Sequence, residues 1–465
     1  MKTIIKREWL DHVQSLQFIV LLIFSIVLFS ASGIIFGQKM QQLNISYGQS
    51  AAGFNRPSSR WATIGQRPNP SLYLAEGGDL DRPSVFMLQA KENFSAFPPR
   101  PRDFKLPDVP KLDWSFIIKI VFSLYVILLG YAAVCGEKEE GTLRLVLSNS
   151  VGRVRFLAAK YIAILGVALV PLLAGCLVSS VILAIVLPQS LASDSLARAL
   201  AMVLLGSVYI SLFAFLSLLV SSLIPRSSLA LLALLAGWIV FIVLIPDTSG
   251  ILAQRLAKVP SDYQAFKNQG PFVQKEVWDK IHGIQARIDK GELKTEEEVR
   301  RASDQAFEEG QEKMRFFEKN FEDSMKQRAL LARTLSRLSP MALFQYAAEN
   351  VAQTGLRREE SFRKDIRAYS RIFDDYVLKK TGKLVGGSNW SFSSSVKLNG
   401  KSIELHSPRP EDYRGDMSDF PKFVERPFRF SDGIASALGD IAGLLVWNIL
   451  LAGLAFSAFL RLDVR

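Results

Sequence analysis

Cysteine and histidine are scarce in this chain of 465 residues. The two cysteines, Cys135 and Cys176, fall in or at the ends of apolar runs. The long polar segments have none, which excludes a disulfide framework there. His12, His282 and His406 are scattered over helix, loop and strand patterns and suggest no structural zinc site. Catalytic signatures are missing too: no G-x-S-x-G elbow, no H-E-x-x-H pair and no G-x-x-x-x-G-K-[ST] phosphate loop. A membrane-anchored hydrolase has only the size of one polar loop in its favour. The net charge is +12, yet no dense basic tract or nucleic-acid motif accompanies it, so no nucleic acid is expected as a partner. Charges inside the apolar runs are few. Lys119 is the main exception, and its stem can carry the ammonium to an interface. An ion-driven carrier needs buried carboxylates near the membrane midplane, and none is visible, which argues against secondary transport.

Apolar residues are abundant and clustered. They make up 49% of the chain, against 22% charged, and Phe occurs 31 times. The mean hydropathy is +0.19. A membrane-crossing helix needs roughly 20 apolar residues. Six segments supply them: 16–36, 115–135, 160–187, 198–224, 228–246 and 438–460. The first is too long for the apolar core of a signal peptide and reads as an uncleaved anchor. Ahead of it, residues 1–15 place Ile5, Trp9, His12 and Leu16 on one helical face, as an interfacial cytoplasmic helix would.

Short flanks set the orientation. Lys2, Lys6, Arg7, Lys138, Arg144, Arg153, Arg155, Lys160, Arg226, Arg461 and Arg465 fall on one side if the N-terminus is inside, whereas 188–197 has no Lys or Arg. N-in, C-in topology follows, with two extracytoplasmic segments, 37–114 and 247–437. The first is rich in Pro, Gly and Ser, with Arg100, Pro101 and Arg102 approaching span two, and reads as irregular with short strands. In the second, Phe307, Gly310, Met314, Phe317, Phe321, Ser324, Arg328, Leu331, Leu335 and Leu338 step by threes and fours, a helical stripe that Pro340 ends. Such a stripe is usually internal packing; a partner groove is the sharper alternative. A second helix is predicted over 341–379, and "SVKLNGKSIEL" predicts a hairpin turning at Asn399–Gly400. The fold class is mainly α: a polytopic membrane protein with a mostly helical extracytoplasmic domain that contains a small β element.

The segment 136–159 between spans two and three is the most specific feature. Glu137, Glu139 and Glu140 make an acidic start suited to a helix N-terminus. Leu143, Val146 and Leu147 follow at helical spacing, and Ser148, Asn149 and Ser150 break the pattern. A short amphipathic helix held between two spans can dock into another protein's groove; an ordinary solvated loop with interfacial helices reads equally well from spacing. Small residues four apart, Gly33 with Gly37 and Ala233 with Gly237, are candidate dimer contacts, and Gly439 with Gly443 shares the spacing. Pro171, with Gly166 and Gly175, is placed to bend span three.

"GEKEEGTLRLVLSNSVGRVRFLAAKY" resembles the hallmark of ABC-2 type transporter permeases. Glu137, Glu139, Gly141, Thr142, Leu143, Ser148, Arg153 and Lys160 match that pattern. "LSPMALFQYAAENVAQTGLRRE", from Leu338, resembles the second loop of the subgroup with two large extracytoplasmic insertions. Ala132, Ser150 and Ala159 depart from the pattern, where Asp, Pro and Gly are usual. The resemblance implies a permease of a bacterial inner membrane that is not itself an enzyme. Glu137, Glu139, Glu140, Gly141, Thr142, Leu143 and Arg153 would couple it to a separate cytoplasmic ABC ATPase. No cofactor would be bound directly, since ATP would sit on that partner. A second permease copy or paralogue is implied, with a periplasmic protein as a further partner. A module that transmits ATPase motion without transport is the alternative.

Overall fold

The computed structural model describes residues 2–462 except 52, 55, 92, 97–111, 149–151, 188–192, 257–262, 385–392, 407–412, 414 and 427–428. The expectations for Arg100, Pro101 and Arg102, and for the break at Asn149 and Ser150, lie outside the described residues. Among the described residues, six helices are long and apolar enough to cross a membrane.

Helix α1 (Lys2–Val13) precedes the first span, α2 (Leu16–Ala51). The second span comprises α3 (Trp114–Phe116), a π-helical stretch Ile117–Phe122 and α4 (Ser123–Gly130); a turn then leads to α5 (Cys135–Glu139) and α6 (Thr142–Ser148). The third and fourth spans are α7 (Arg153–Val186) and α8 (Ser193–Leu223). The fifth joins α9 (Ser227–Ile239) through a second π stretch, Val240–Leu244, to α10 (Ile245–Leu256). Helices α11 (Tyr263–Asp289), α12 (Glu296–Ser336), α13 (Pro340–Ala352) and α14 (Gly355–Thr381) follow, and α15 (Phe430–Leu460) is the sixth span. Helix α1, the end of α15 and the 135–148 segment share one end of the bundle, the terminal face. The large loops share the other, the loop face.

The first span outruns its apolar stretch. The helix continues to Ala51 because Met40 and Leu43 still find apolar neighbours. Glycines set the closest helix contacts. Gly33 faces Ser179 and Ile182 of α7, and Gly37 faces Val186. A Cβ at Gly175 would overlap the Phe29 ring, whereas Gly166 on the same helix has open space. Pro171 lies inside α7 without ending it, and its carbonyl accepts from Ser25 Oγ at 2.8 Å. Mid-bundle, Tyr161 OH donates to Ser211 Oγ at 2.7 Å, Ser211 Oγ donates to Asn448 Oδ1 at 2.9 Å, and Asn448 Nδ2 donates to the Val208 carbonyl at 3.0 Å. Spans three, four and six thus share one hydrogen-bonded seam. The expectation that Lys119 is the main charge in the spans needs correcting. Lys160, Arg198 and Asp440 are also buried there, each beside an opposite charge.

On the loop face, strands β1 (Trp61–Gly65), β2 (Val85–Gln89) and β3 (Asn93–Ala96) form an antiparallel sheet with β2 in the middle. Ala62, Ile64, Phe86 and Leu88 pack on Phe362, Ile366 and Phe373 of α14. The first loop is therefore an ordered sheet folded onto the second loop, more regular than its Pro- and Gly-rich composition suggests. Helices α11 and α12 pair antiparallel beneath the hairpin of β4 (Ser393–Leu398) and β5 (Lys401–His406), burying Ile281, Ile284, Phe307, Val396 and Ile403 together. Asn399 and Gly400 turn that hairpin at φ 52° and 81°, the left-handed pair such a two-residue turn requires. The α12 stripe is buried at Phe307 and Gly310, half-buried to Leu335 and exposed at Leu338.

The helix expected over 341–379 is two. Gln353 (φ 55°) and Gly355 (φ 78°) take left-handed conformations, and the chain turns between α13 and α14. Helix α13 packs among the spans: Phe344 stacks on Tyr209 at 4.5 Å, and Leu343 packs against Gly443. Ser339 caps it, accepting from the Met341 and Ala342 amides and donating to the Phe241 carbonyl in the π stretch of span five. Lys119 Nζ donates to Gln345 Oε1 at 2.8 Å, and Gln345 Nε2 donates to Glu349 Oε1 at 3.0 Å. Glu349 in turn lies against Gly77 and Gly355. Burial pushes the Glu349 and Asp79 carboxyls up from their ordinary values.

Packing at Gly175 predicts that Gly175→Ala lowers stability by about 1–3 kcal/mol through overpacking. Gly166→Ala should be neutral or slightly stabilising. Thermal unfolding in detergent checks the contrast. A second expectation concerns pH. Asp113 accepts from the Phe116 and Glu76 amides at 2.6 and 2.8 Å, and burial still raises its carboxyl from 3.8 to about 6. The folded chain thus binds this proton more tightly than the unfolded chain does. Its stabilising share is complete below pH 3.8 and is lost as pH rises to about 6. The melting temperature of Asp113→Asn should vary less steeply than wild type across that window; equal slopes would refute the assignment.

Candidate coupling site

The 135–148 segment leaves span two through a turn at 131–134. Ser221 Oγ of α8 accepts from the Val134 and Cys135 amides at 2.9 and 3.1 Å, so span four holds the start of α5. Glu137, in the first turn of α5, reaches back into the protein. Its carboxylate pairs with Lys160 of α7, and Lys160 also pairs with Glu8 of α1 at 2.8 Å. Lys160 is 5% exposed, so this single ammonium lies buried between two carboxylates on three helices. Glu139 accepts from the amide and hydroxyl of Ser227. It satisfies the first turn of α9, where amide groups have no intrahelical acceptor.

Gly141 reverses the chain between α5 and α6 at φ 74°, with open space around it. A side chain there would be strained by the backbone alone. Thr142 Oγ1 donates to the Glu137 carbonyl at 3.2 Å and ties α6 back to α5. Leu143 is buried at 1% exposure, whereas Arg144 and Leu145 face outward, Leu145 at 68%. Arg153 Nη1 donates to the Leu460 and Leu462 carbonyls at 2.8 and 3.1 Å, closing the C-terminal end of span six.

The residues singled out from sequence therefore divide. Glu137, Glu139, Thr142, Leu143 and Arg153 bind their own chain and make 135–148, together with Arg153, a node joining α1 to spans three to six. Glu140 and Gly141, with Lys138, Arg144 and Leu145, form its outer surface. Of the face expected on α6, Leu143 is buried and Val146 packs partly buried against the core, while Leu145 points outward. The two glycine-type pairs divide as well. Gly33 and Gly37 are used within the chain against α7, which corrects their assignment to a dimer contact. Ala233 is exposed, and Gly237 has open space. On α1, Ile5 and His12 are half-buried, but Trp9 and Leu16 of the expected face point outward.

Glu8 and Ser227 were missed. Glu8 lies three and four residues from Ile5 and His12, and that spacing was the available signal. Ser227 follows directly on Arg226 at a helix start, where an acceptor is needed. Among the described residues, no three His, Cys, Asp or Glu side chains group to hold a metal.

Removing the shared ammonium strands two carboxylates. Lys160→Met should therefore lower stability by roughly 3 kcal/mol, and adding Glu137→Gln should restore part of it. Thermal unfolding of the single and double variants reads both effects.

A family model described as "ABC-2 family transporter protein" matches residues 2–464. No curated protein matches the chain.

Proposed function

The chain belongs to the ABC-2 family of transporter proteins, and from that premise we propose that it is the permease subunit of an ATP-driven exporter whose ATPase is a separate cytoplasmic polypeptide. The observation that carries this reading is the node formed by 135–148 with Arg153. Its inner residues are fixed to α1 and four spans, and its outer surface offers Glu140, Arg144 and Leu145 at the terminal face. A partner pushing on that surface moves span ends directly, without first taking up slack in a loop. The Lys and Arg flanks of the spans support a cytoplasmic position for this face, and the reading takes the membrane to be a bacterial inner one. ATP then binds to the partner, and the permease converts closure of the ATPase into a population shift between membrane states. A second permease fits best along span five, where Ala233 and Gly237 face away from the chain's own bundle.

One observation favours the second reading, in which ATPase motion serves a periplasmic protein and nothing is transported. Lys119, Gln345 and Glu349 connect span two to α13, and Asn69 Nδ2 donates to the Ala352 and Gln353 carbonyls at 2.9 and 2.8 Å. Span two is thereby tied to the loop-face domain. A compound that accumulates inside a deletion strain supports export. Wild-type levels of all exported compounds, with partner function lost in Asn69→Ala, would support the signalling reading.

Glu140→Lys combined with Arg144→Glu should weaken co-purification of the ATPase about tenfold and abolish permease-stimulated ATP hydrolysis. The thermal stability of the permease should be unchanged, because neither side chain packs internally. Full stimulation in that variant would remove this surface from the mechanism.

A further inference from the structure

The two halves of span five are attached to different parts of the protein. Its terminal-face half, α9, begins at Ser227, whose amide and hydroxyl donate to Glu139 of the coupling segment. Its loop-face half, α10, packs along α12. Between them lies the π stretch Val240–Leu244. Pro246 accounts for it: proline has no N–H, and its ring crowds the carbonyl four residues back. The Ile245 amide bonds to the Val240 carbonyl and so is lost to Phe241. A π-type bond to Phe241 would have to come from residue 246, which is the proline. The Phe241 carbonyl thus has neither its α-helical nor its π-helical donor. Ser339 Oγ, at the start of α13, takes that place.

Span two is joined to span five at the same level. There the Ser123 amide bonds to the Ile120 carbonyl, and the Lys119 carbonyl accepts from Tyr209 OH at 3.1 Å and Ser123 Oγ at 2.6 Å. Trp238 Nε1, near the end of α9, donates to the same Ser123 Oγ at 2.9 Å. The terminal-face halves of the two spans are therefore tied together where their π stretches begin. On the other side α13 holds both stretches, through Gln345 on Lys119 and Ser339 on Phe241. We infer that the paired π stretches form a hinge line, at which the loop-face half of span five swings against its terminal-face half, and that Ser339 is its latch. Swinging breaks no regular helical bond at Phe241 or Pro246, because none is there. The latch is one side-chain hydrogen bond. The role of the hinge in a cycle rests on the reading that a partner acts on the coupling segment, since Glu139 would then move α9 while α12 holds α10.

Spin labels on Leu232→Cys and Leu252→Cys, at exposed positions of α9 and α10, read the bend as a distance by pulsed electron resonance. Both native cysteines are buried. The purified full-length permease suffices, so this result stands apart from the coupling surface. With no further change the labelled chain should show one narrow distance distribution. Ser339→Ala should raise a second, bent population about two- to tenfold, the shift expected for one hydrogen bond. Ser339→Thr keeps the hydroxyl and the helix cap and should match wild type. Pro246→Ala returns an amide to the ladder and should leave a single distance, alone or combined with Ser339→Ala. An unchanged distribution in Ser339→Ala would overturn the hinge. So would a bent population that persists in the double variant, which would reduce Ser339 to a cap of α13. In the complex with the ATPase, Pro246→Ala should co-purify as wild type but lose permease-stimulated ATP hydrolysis; full stimulation would overturn the part of the hinge in the cycle.

Discussion

Inside hydrocarbon a polar group has no water to fall back on, and this constraint decides where the bundle's helices can go. Spans two and five each include a π-helical stretch, a geometry that weakens the helix's own ladder. In both, another element supplies a donor. The Lys119 carbonyl accepts from Tyr209 OH and Ser123 Oγ, and the Phe241 carbonyl accepts from Ser339 Oγ. The second of these bonds positions the N-terminus of α13. A helix that does not span the membrane is thus held among helices that do, by a hydroxyl that caps its own first turn and satisfies a neighbour at once.

What α13 contacts gives it mechanical importance. Its apolar face is fixed by Phe344 on Tyr209 and by Leu343 on Gly443. Its far end is held by Asn69, by Thr354 donating to the Ala75 carbonyl, and by Arg358 paired with Asp79. Burial raises the Glu349 carboxyl from its ordinary value in that packed corner. Displacing span two should therefore displace α13, and with it the sheet on α14. Through α13 the loop-face domain is built as an extension of the bundle.

How legible was this in the sequence? The spans were, because long uncharged runs have few alternatives. The Asn399–Gly400 turn was, because few residue pairs adopt two consecutive left-handed conformations readily. The break at Gln353–Gly355 was hidden inside a good helical pattern, although Gly355 is an ordinary stop signal. Ion pairs such as Glu8 with Lys160 and Arg337 with Asp440 were not legible, since tertiary contact creates them between residues far apart in the chain. The four-residue glycine spacing shows the limit most clearly. Gly33 with Gly37 and Ala233 with Gly237 read alike, yet the first pair faces the chain's own third span and the second faces outward. Spacing reports that a helix face is smooth, and only the fold reports which neighbour uses it.

The same distinction bears on the coupling segment. An acidic run on a short amphipathic helix suggests that its carboxylates meet a partner. In the folded chain two of the three acidic residues are already committed, Glu137 to Lys160 and Glu139 to Ser227. On the proposed coupling role, their value to transmission would lie in that commitment. A docking helix on a loose loop would absorb a push through its own bending, because loop motions cost little free energy. One anchored by a buried ammonium, a helix cap and the Gly141 reversal has no such compliance, so force applied at Glu140 and Arg144 reaches α1, α7 and α9 together. On the proposed coupling role, stiffness at 135–148, more than any single contact with a partner, is what the acidic residues would contribute.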